Sequence, residues 1–317
     1  MIFLAEDKFY SQVYSIKEQI NFTEKFSLEA RNFKAIVISG MGGSGVSGRI
    51  FAEIFQELPV IVVDSYKLPK YVDSSYCFIA VSYSGNTEET LSTVKEAKAR
   101  GVRVNAITSG GELSKICDNL IKIPAGLQPR EAIGYLLMPL LNTFAGIQTE
   151  ERKKIISILE NLEKERSPIW QLAQKIVDSR KIPYILSWEP FTSLSYRFKT
   201  QFNENSKLFA LNHNLSEQNH NELVPQLMNG GMAEKFIFLV LEGDYSSRCK
   251  VRLDIMENKF SSEIIRIKPK GETQLEKLFY LLHYIDILTV EVSLRLSFDP
   301  EDVKVLENLK AELSKIK

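Results

Sequence analysis

Cysteine and histidine are both scarce, three of each in 317 residues. Cys77, Cys117 and Cys249 stand far apart and form no C-x-x-C pair, so no thiol motif is present, and the odd count suits a reduced, intracellular chain. No H-x-H or H-E-x-x-H occurs, so no metal is predicted. An excess of charge of either sign is also missing: Lys+Arg and Asp+Glu are 40 each. That balance excludes the basic surplus of a nucleic-acid binder and the electrostatics of a membrane anchor, while leaving room for basic residues in a cleft. The N-terminus turns acidic at Glu6-Asp7, which does not read as a secretory signal, and the expected compartment is the cytoplasm. The longest uncharged run, Ala132 to Thr149, is broken by Gly134, Pro139, Asn142, Gly146 and Gln148, so it reads as a buried helix pair and not as a membrane span.

What is there is an ordinary globular balance, 44% apolar and 25% charged, over a length that suits two domains. Apolar runs at 35–39, 60–64, 77–81, 102–107 and 119–123 have the length of buried strands, and helical stretches separate them. A surface helix is expected over 7–24. A charged helix, 149–166, bridges to a second alternation: strands at 182–187, 208–211, 236–241 and 264–267, helices at 191–205 and 247–259. A long apolar helix (272–296) follows, then a last helix with Asp299 as its N-cap and Pro300 at its first position. Alternation of this kind implies parallel βαβ units. The fold expected is α/β: two tandem doubly wound parallel-sheet subdomains, 1–148 and 149–317, the second ending in a helical segment.

Two strand-to-helix turns carry the chemistry. Ser82-Tyr83-Ser84-Gly85-Asn86-Thr87 follows the third strand and crowds three hydroxyls, Ser82, Ser84 and Thr87, at a helix start where Asn86 and Glu89 read as a cap pair. Free N–H groups and the helix dipole favour an anion there, so the turn reads as a phosphate cradle, against the plainer alternative of a capped helix with polar loop residues. Gly40-Met41-Gly42-Gly43-Ser44-Gly45 follows the first strand. It matches the dinucleotide fingerprint, with Asp64 where a ribose-binding acid would stand, so an NAD-dependent oxidoreductase is a rival. The Walker pattern is absent, with Val46 and Ser47 in place of its Lys and Ser/Thr. Two such loops in succession at strand carboxyl ends fit a small phosphorylated ligand better than a dinucleotide.

These two loops resemble the sugar-isomerase domain. With Pro129-Arg130, Glu204-Asn205 and His220-Asn221-Glu222 the chain resembles the bifunctional phosphoglucose/phosphomannose isomerases, from about Gly40 to the last helix. The resemblance implies two sugar-isomerase-type subdomains and a metal-free, cofactor-free aldose–ketose isomerase acting on glucose 6-phosphate and fructose 6-phosphate, with mannose 6-phosphate as a further substrate. It also implies a homodimer with the active site at the interface. By the same resemblance Ser82, Ser84 and Thr87 hold the phosphate and Gly42, Gly43 and Ser44 line the sugar. Glu204 shuttles the proton, His220 and Lys310 assist ring opening, and Arg130 stabilises enediolate charge.

Local chemistry allows each of these roles without forcing it. A carboxylate at a helix C-terminus opposes the dipole, as Glu204 does, yet such groups are commonly just solvated. Arg130, at the start of a helix expected over 131–137, could face a ligand or water. His220 could be a surface-loop residue and Lys310 a solvated one, with Lys304, Lys315 and Lys317 competing for its place. His213 reads as a loop residue and His283 as a core or interface residue. Val303, two turns before Lys310, stands where the family has a threonine thought to admit mannose-type epimers. A sugar-phosphate sensor without chemistry is a further alternative, although no helix-turn-helix segment or basic patch accompanies the fold.

Overall fold

A computed structural model describes residues 9–28, 33–228, 231–260, 262–313 and 315, apart from the side chains of Glu307, Lys310 and Ala311. Nine strands are described: β1 (Ile36–Ser39), β2 (Val60–Val63), β3 (Cys77–Val81), β4 (Val104–Thr108), β5 (Asn119–Lys122), β6 (Ile182–Ser187), β7 (Leu211–Asn214), β8 (Phe236–Leu241) and β9 (Ile264–Ile267). They form two sheets, ordered β2-β1-β3-β4-β5 and β7-β6-β8-β9, with every pairing parallel. The four-strand order is the same in both, so the halves share one topology. The register sets Ile36 opposite both Val60 and Cys77, which aligns the carboxyl ends of β1 and β3 and puts the two polar turns side by side.

Side chains alternate across each strand, and the core divides accordingly. Ile36 and Ile38 of β1, with Cys77, Ile79 and Val81 of β3, face one large core that runs on into the second half. Val37, Phe78, Ala80, Val104 and Ala106 face a smaller core on the other side of the first sheet. The long helix Gln274–Arg295 is buried along nearly its whole length. It packs on the helices Ser167–Ser179, Thr149–Lys164 and Thr192–Glu204. A capping box fixes its start: Glu276 N–H donates to Thr273 Oγ1 at 3.1 Å, and Thr273 N–H donates back to Glu276 Oε2 at 3.3 Å.

Several expectations shift. The second strand of the second half is not 208–211; it is the edge strand β7, Leu211–Asn214, which puts His213 on a strand and not in a loop. Apolar residues at 208–211 suggested the earlier register, but Phe209 is 68% exposed and Lys207 adopts φ +55°, so the chain is still turning there. The run 132–149 holds one helix, Ile133–Phe144, with Pro139 inside it, and not a pair. Arg130 therefore precedes the helix by a turn. A helix at Ser167–Ser179 went unpredicted. The N-terminal segment is amphipathic: Phe9, Val13, Ile16 and Ile20 are buried, while Ser11 and Glu18 are exposed. The last helix starts at Lys304, because Asp299 closes a local turn by accepting from Glu301 N–H at 2.9 Å instead of capping a helix.

Candidate active site

The two turns meet at the carboxyl edge of the first sheet. Backbone proximity explains the glycines. A Cβ on Gly40 would stand 2.8 Å from Val81 O of β3, and one on Gly43 would stand 3.1 Å from Pro129 O and 3.2 Å from Arg130 Cα. The glycine turn is thus pressed between the serine turn and the Pro129-Arg130 backbone. Ser44 ties it to its neighbour, its Oγ accepting from Tyr83 N–H at 3.3 Å.

In the serine turn, Ser82 Oγ and Thr87 Oγ1 lie 2.9 Å apart, with Ser82 buried and Ser84 exposed. Gly85 takes φ +70°, and a Cβ there would run into the Gly110 carbonyl oxygen. The cap differs from expectation. Thr87, not Asn86, is the N-cap of the helix Glu88–Ala99, and no side chain caps it. Asn86 faces away, its Oδ1 accepting from Glu112 N–H at 2.9 Å. The first N–H groups of that helix are left without a side-chain acceptor, beside three hydroxyls, which is an arrangement suited to an anion.

Arg130 and Glu204 are brought together from opposite halves of the chain. Arg130 is buried, and its Nη1 lies 3.5 Å from Glu204 Oε2. Its Nε donates to Asn205 Oδ1 at 2.7 Å and its Nη2 to Pro300 O at 2.6 Å, while the guanidinium lies over the Phe9 ring. Those contacts fix the guanidinium, and the remaining nitrogen, Nη1, donates to Gln128 Oε1 at 3.4 Å and lies beside Glu204. Glu204 ends the helix Thr192–Glu204 and is partly open to solvent.

Behind this pair lies a buried polar cluster that sequence reasoning missed. Arg197 Nη2 donates to Arg130 O at 3.0 Å and to both Asp286 oxygens at 2.7 and 2.8 Å. Gln201 Nε2 bridges Asp286 Oδ1 and Glu131 Oε1. Burial pushes the Asp286 carboxyl up, against the pull of Arg197. The signal was present, a single carboxylate in the apolar run Tyr284-Ile285-Asp286-Ile287-Leu288, but its partner is fixed only by the fold.

His220 does not join them. It sits exposed on the short helix Leu215–Asn221, and among the described residues no hydrogen bond or ion pair links it to Glu204 or Arg130. Its neighbour Glu222 is tied inward instead, bonded by Tyr184 OH and 3.5 Å from His213 Nδ1. Lys310 belongs to the helix Lys304–Leu313, and its side chain lies outside the described residues. His283 is fully buried, with Nε2 2.9 Å from Glu163 Oε1, and burial lowers its pKa. Asp64, the acid of the dinucleotide reading, is exposed and pairs with Arg49. Among the described residues no group of three or more His, Cys, Asp or Glu is placed to hold a metal ion, and no helix is long and apolar enough to cross a membrane.

Comparison with known proteins decides the family. The SIS domain model matches residues 31–140, and the bacterial phospho-glucose isomerase C-terminal SIS domain matches 165–313. The bifunctional phosphoglucose/phosphomannose isomerase of Thermoplasma volcanium is 42% identical over 97% of this chain and all of its own length, and that of Thermoplasma acidophilum is 40% identical over 97% and 98%. The chain belongs to the bifunctional phosphoglucose/phosphomannose isomerase family. Among solved structures, the C-terminal domain of glucosamine-fructose-6-phosphate aminotransferase from Francisella tularensis superposes with a TM-score of 0.72, covering 93% of this chain and 96% of that one at 16% identity, a likeness of fold. For this family member the glycine turn belongs to a sugar-isomerase domain, and the dinucleotide reading of Gly40–Gly45 gives way.

Proposed function

We propose that the chain interconverts glucose 6-phosphate and fructose 6-phosphate, and accepts mannose 6-phosphate, by proton transfer through a cis-enediol(ate) without metal or cofactor. The observation that carries the proposal is the Arg130–Glu204 pair, 3.5 Å apart and backed by the Gly43 turn, next to a helix start left open for an anion. Ser82, Ser84 and Thr87 take the phosphate, and Gly42, Gly43 and Ser44 form the wall along the sugar. Glu204 removes the proton from C2 of the open-chain aldose. The C–H electron pair becomes the C1=C2 bond and the aldehyde oxygen gains negative charge; the O2 hydroxyl proton then passes to O1, the C2–O2 bond becomes the ketose carbonyl, and the C1=C2 electron pair takes the proton back from the carboxylic acid at C1. Arg130, held in place before substrate arrives, stabilises that charge. Phosphate binding supplies the energy that holds C1 and C2 against Glu204.

His220 and Lys310 are assigned to ring opening. Because His220 points outward in its own protomer, its place in the reaction belongs to a second copy, with the active site shared in a homodimer. Exposed apolar side chains support that pairing: Val305, Leu309, Phe209 and Met228 each present more than half their surface to solvent. Val303 is half-buried at the turn before the last helix and lacks the hydroxyl of threonine, so turnover of mannose 6-phosphate is expected to be the slower activity. The two domains are 1–148 and 149–317, and the setting is the cytoplasm.

A coupled assay on the Glu204→Gln variant tests the base. A loss in kcat of about 10²–10⁴-fold is expected, with affinity for a phosphorylated sugar analogue retained. Near-native turnover would remove Glu204 from the mechanism.

A further inference from the structure

We infer that Lys207 is a positioning residue for the isomerase reaction, a clamp that holds the Glu204 helix end against the segment before the last helix; the inference rests on the reading of Glu204 as the base. The carbonyls of a final helical turn have no partners within the helix. Here Lys207 Nζ supplies them, donating to Glu204 O at 2.7 Å and approaching Asn205 O at 3.3 Å. The same ammonium donates to Asp299 O at 2.8 Å and reaches Pro300 O at 3.3 Å. Pro300 O is also the acceptor of Arg130 Nη2. One cation therefore joins the backbone of the base to the turn that fixes the arginine.

The backbone at this position strengthens the inference. Lys207 adopts φ +55°, the left-handed conformation that helix ends reserve for glycine. Glycine would close the helix without strain, and it would leave those four carbonyls without the ammonium. Lysine accepts the strained conformation and keeps the charge. Burial lowers the Lys207 pKa, with Arg130 pressing the same way, as fits an ammonium enclosed beside a second cation. Glu204 is also held by its own helix and by Arg130 beside its Oε2, and Asn205 by three further contacts: its Oδ1 takes Arg130 Nε, its Nδ2 donates to Thr289 Oγ1 at 3.1 Å and its carbonyl accepts from Ser293 Oγ at 2.7 Å.

The test compares Lys207→Gly, Lys207→Met and Lys207→Arg in the full chain, by a coupled assay from fructose 6-phosphate with thermal melting alongside. Lys207→Gly suits the left-handed backbone and removes only the ammonium, so it folds even where Lys207→Met does not. The expected result is a fall in kcat of about 10–100-fold for Gly and Met, the scale of a misplaced catalytic group. KM should stay near native, because the phosphate turn lies on other elements, and Lys207→Arg should recover most of the loss. Native kcat in Lys207→Gly, a loss confined to KM, or an Arg variant no better than Met would each overturn the role. The Glu204→Gln variant separates the two levels. If it is inactive while Lys207→Gly is native, only the clamp is lost; if it turns over normally, the base assignment is lost first.

Discussion

The two sheets share a strand order, yet their carboxyl edges are finished in opposite ways. On the first, β1 and β3 end in glycines and hydroxyls that leave backbone exposed around an uncapped helix start. On the second, the matching turns after β6 and β8 are filled with rings: Trp188, Phe191 and Tyr245 are all buried, and the Trp188 and Tyr245 rings meet edge to face at 4.9 Å. A helix start lies there too, at Thr192, but it is already occupied by an anion from the chain itself. Glu53 Oε2 accepts from Ser193 N–H at 2.9 Å. The second sheet therefore offers the site its other end. A helix between parallel strands runs back against them, so Thr192 lies at the carboxyl edge and Glu204 at the amino edge. Glu53 likewise lies in the last turn of the helix Gly42–Ile54. The two helices pack side by side in opposite senses, and each half contributes an opposite pole: the helix N-terminus at the serine turn and the helix C-terminus at Glu204.

The comparison breaks most visibly at paired glycines. In Gly85→Ala the new methyl meets a backbone carbonyl and forces a left-handed residue to carry a Cβ, so the serine turn has to move. Losing two charge-assisted hydrogen bonds at about 1.5–3 kcal/mol each predicts a KM rise of roughly 100-fold or more. In Gly243→Ala the methyl meets side-chain rings, the edge of Phe191 at 2.7 Å and Tyr245 at 3.2 Å. Overpacking there costs about 1–3 kcal/mol of stability, with KM unchanged. Steady-state kinetics beside denaturant melts read both. Equal effects on KM would show that the second edge also binds substrate.

Much of the fold is legible in the sequence. β3, β6, β8 and β9 fall on the residues expected, because each is an apolar run bounded by turn formers. β7 was misplaced for a physical reason. It is an edge strand, Leu-Asn-His-Asn, half-buried and polar, with an apolar stretch just before it that the fold leaves in the turn. The site was legible where local chemistry repeats a known need, as in the glycine and serine turns. It was not legible where a residue matters through a distant partner. Nothing near Lys207 announces four carbonyls from two segments, and nothing near Glu53 announces the helix at Thr192.

Glu53 gives the next smaller effect. Burial pushes its carboxyl pKa up, and the donors at Ser193 and Thr192 oppose that. Glu53→Ala removes the acceptor from a buried helix start, a cap-like loss worth about 1–2 kcal/mol. Thermal melting should show the drop, while kcat per folded molecule stays close to native, since Glu53 lies at the end of both helices remote from Glu204. A large fall in kcat with no loss of stability would mean the two poles are coupled through the helix pair.

The smallest effect belongs to His283, at the seam between the halves. It is enclosed by the long helix, with Glu163 as its partner, Lys17 bound to the same carboxylate at 2.6 Å, and Glu131 also acting on it. Burial favours the neutral ring and sets its folded pKa below the ordinary histidine value. On acidification the unfolded chain takes up this proton first, so stability holds above about pH 6.5 and falls as pH drops below it, by no more than about 1.4 kcal/mol per pH unit. Glu163 adds nothing in this window: its folded pKa is lowered, burial raising it but His283 and Lys17 outweighing that, so its own contribution is lost only at more acidic pH. Urea melts at pH 7.5, 6.5 and 5.5 should show the decline, and His283→Gln should flatten it. An unchanged slope in that variant would place the pH dependence on another group and leave the seam electrically silent.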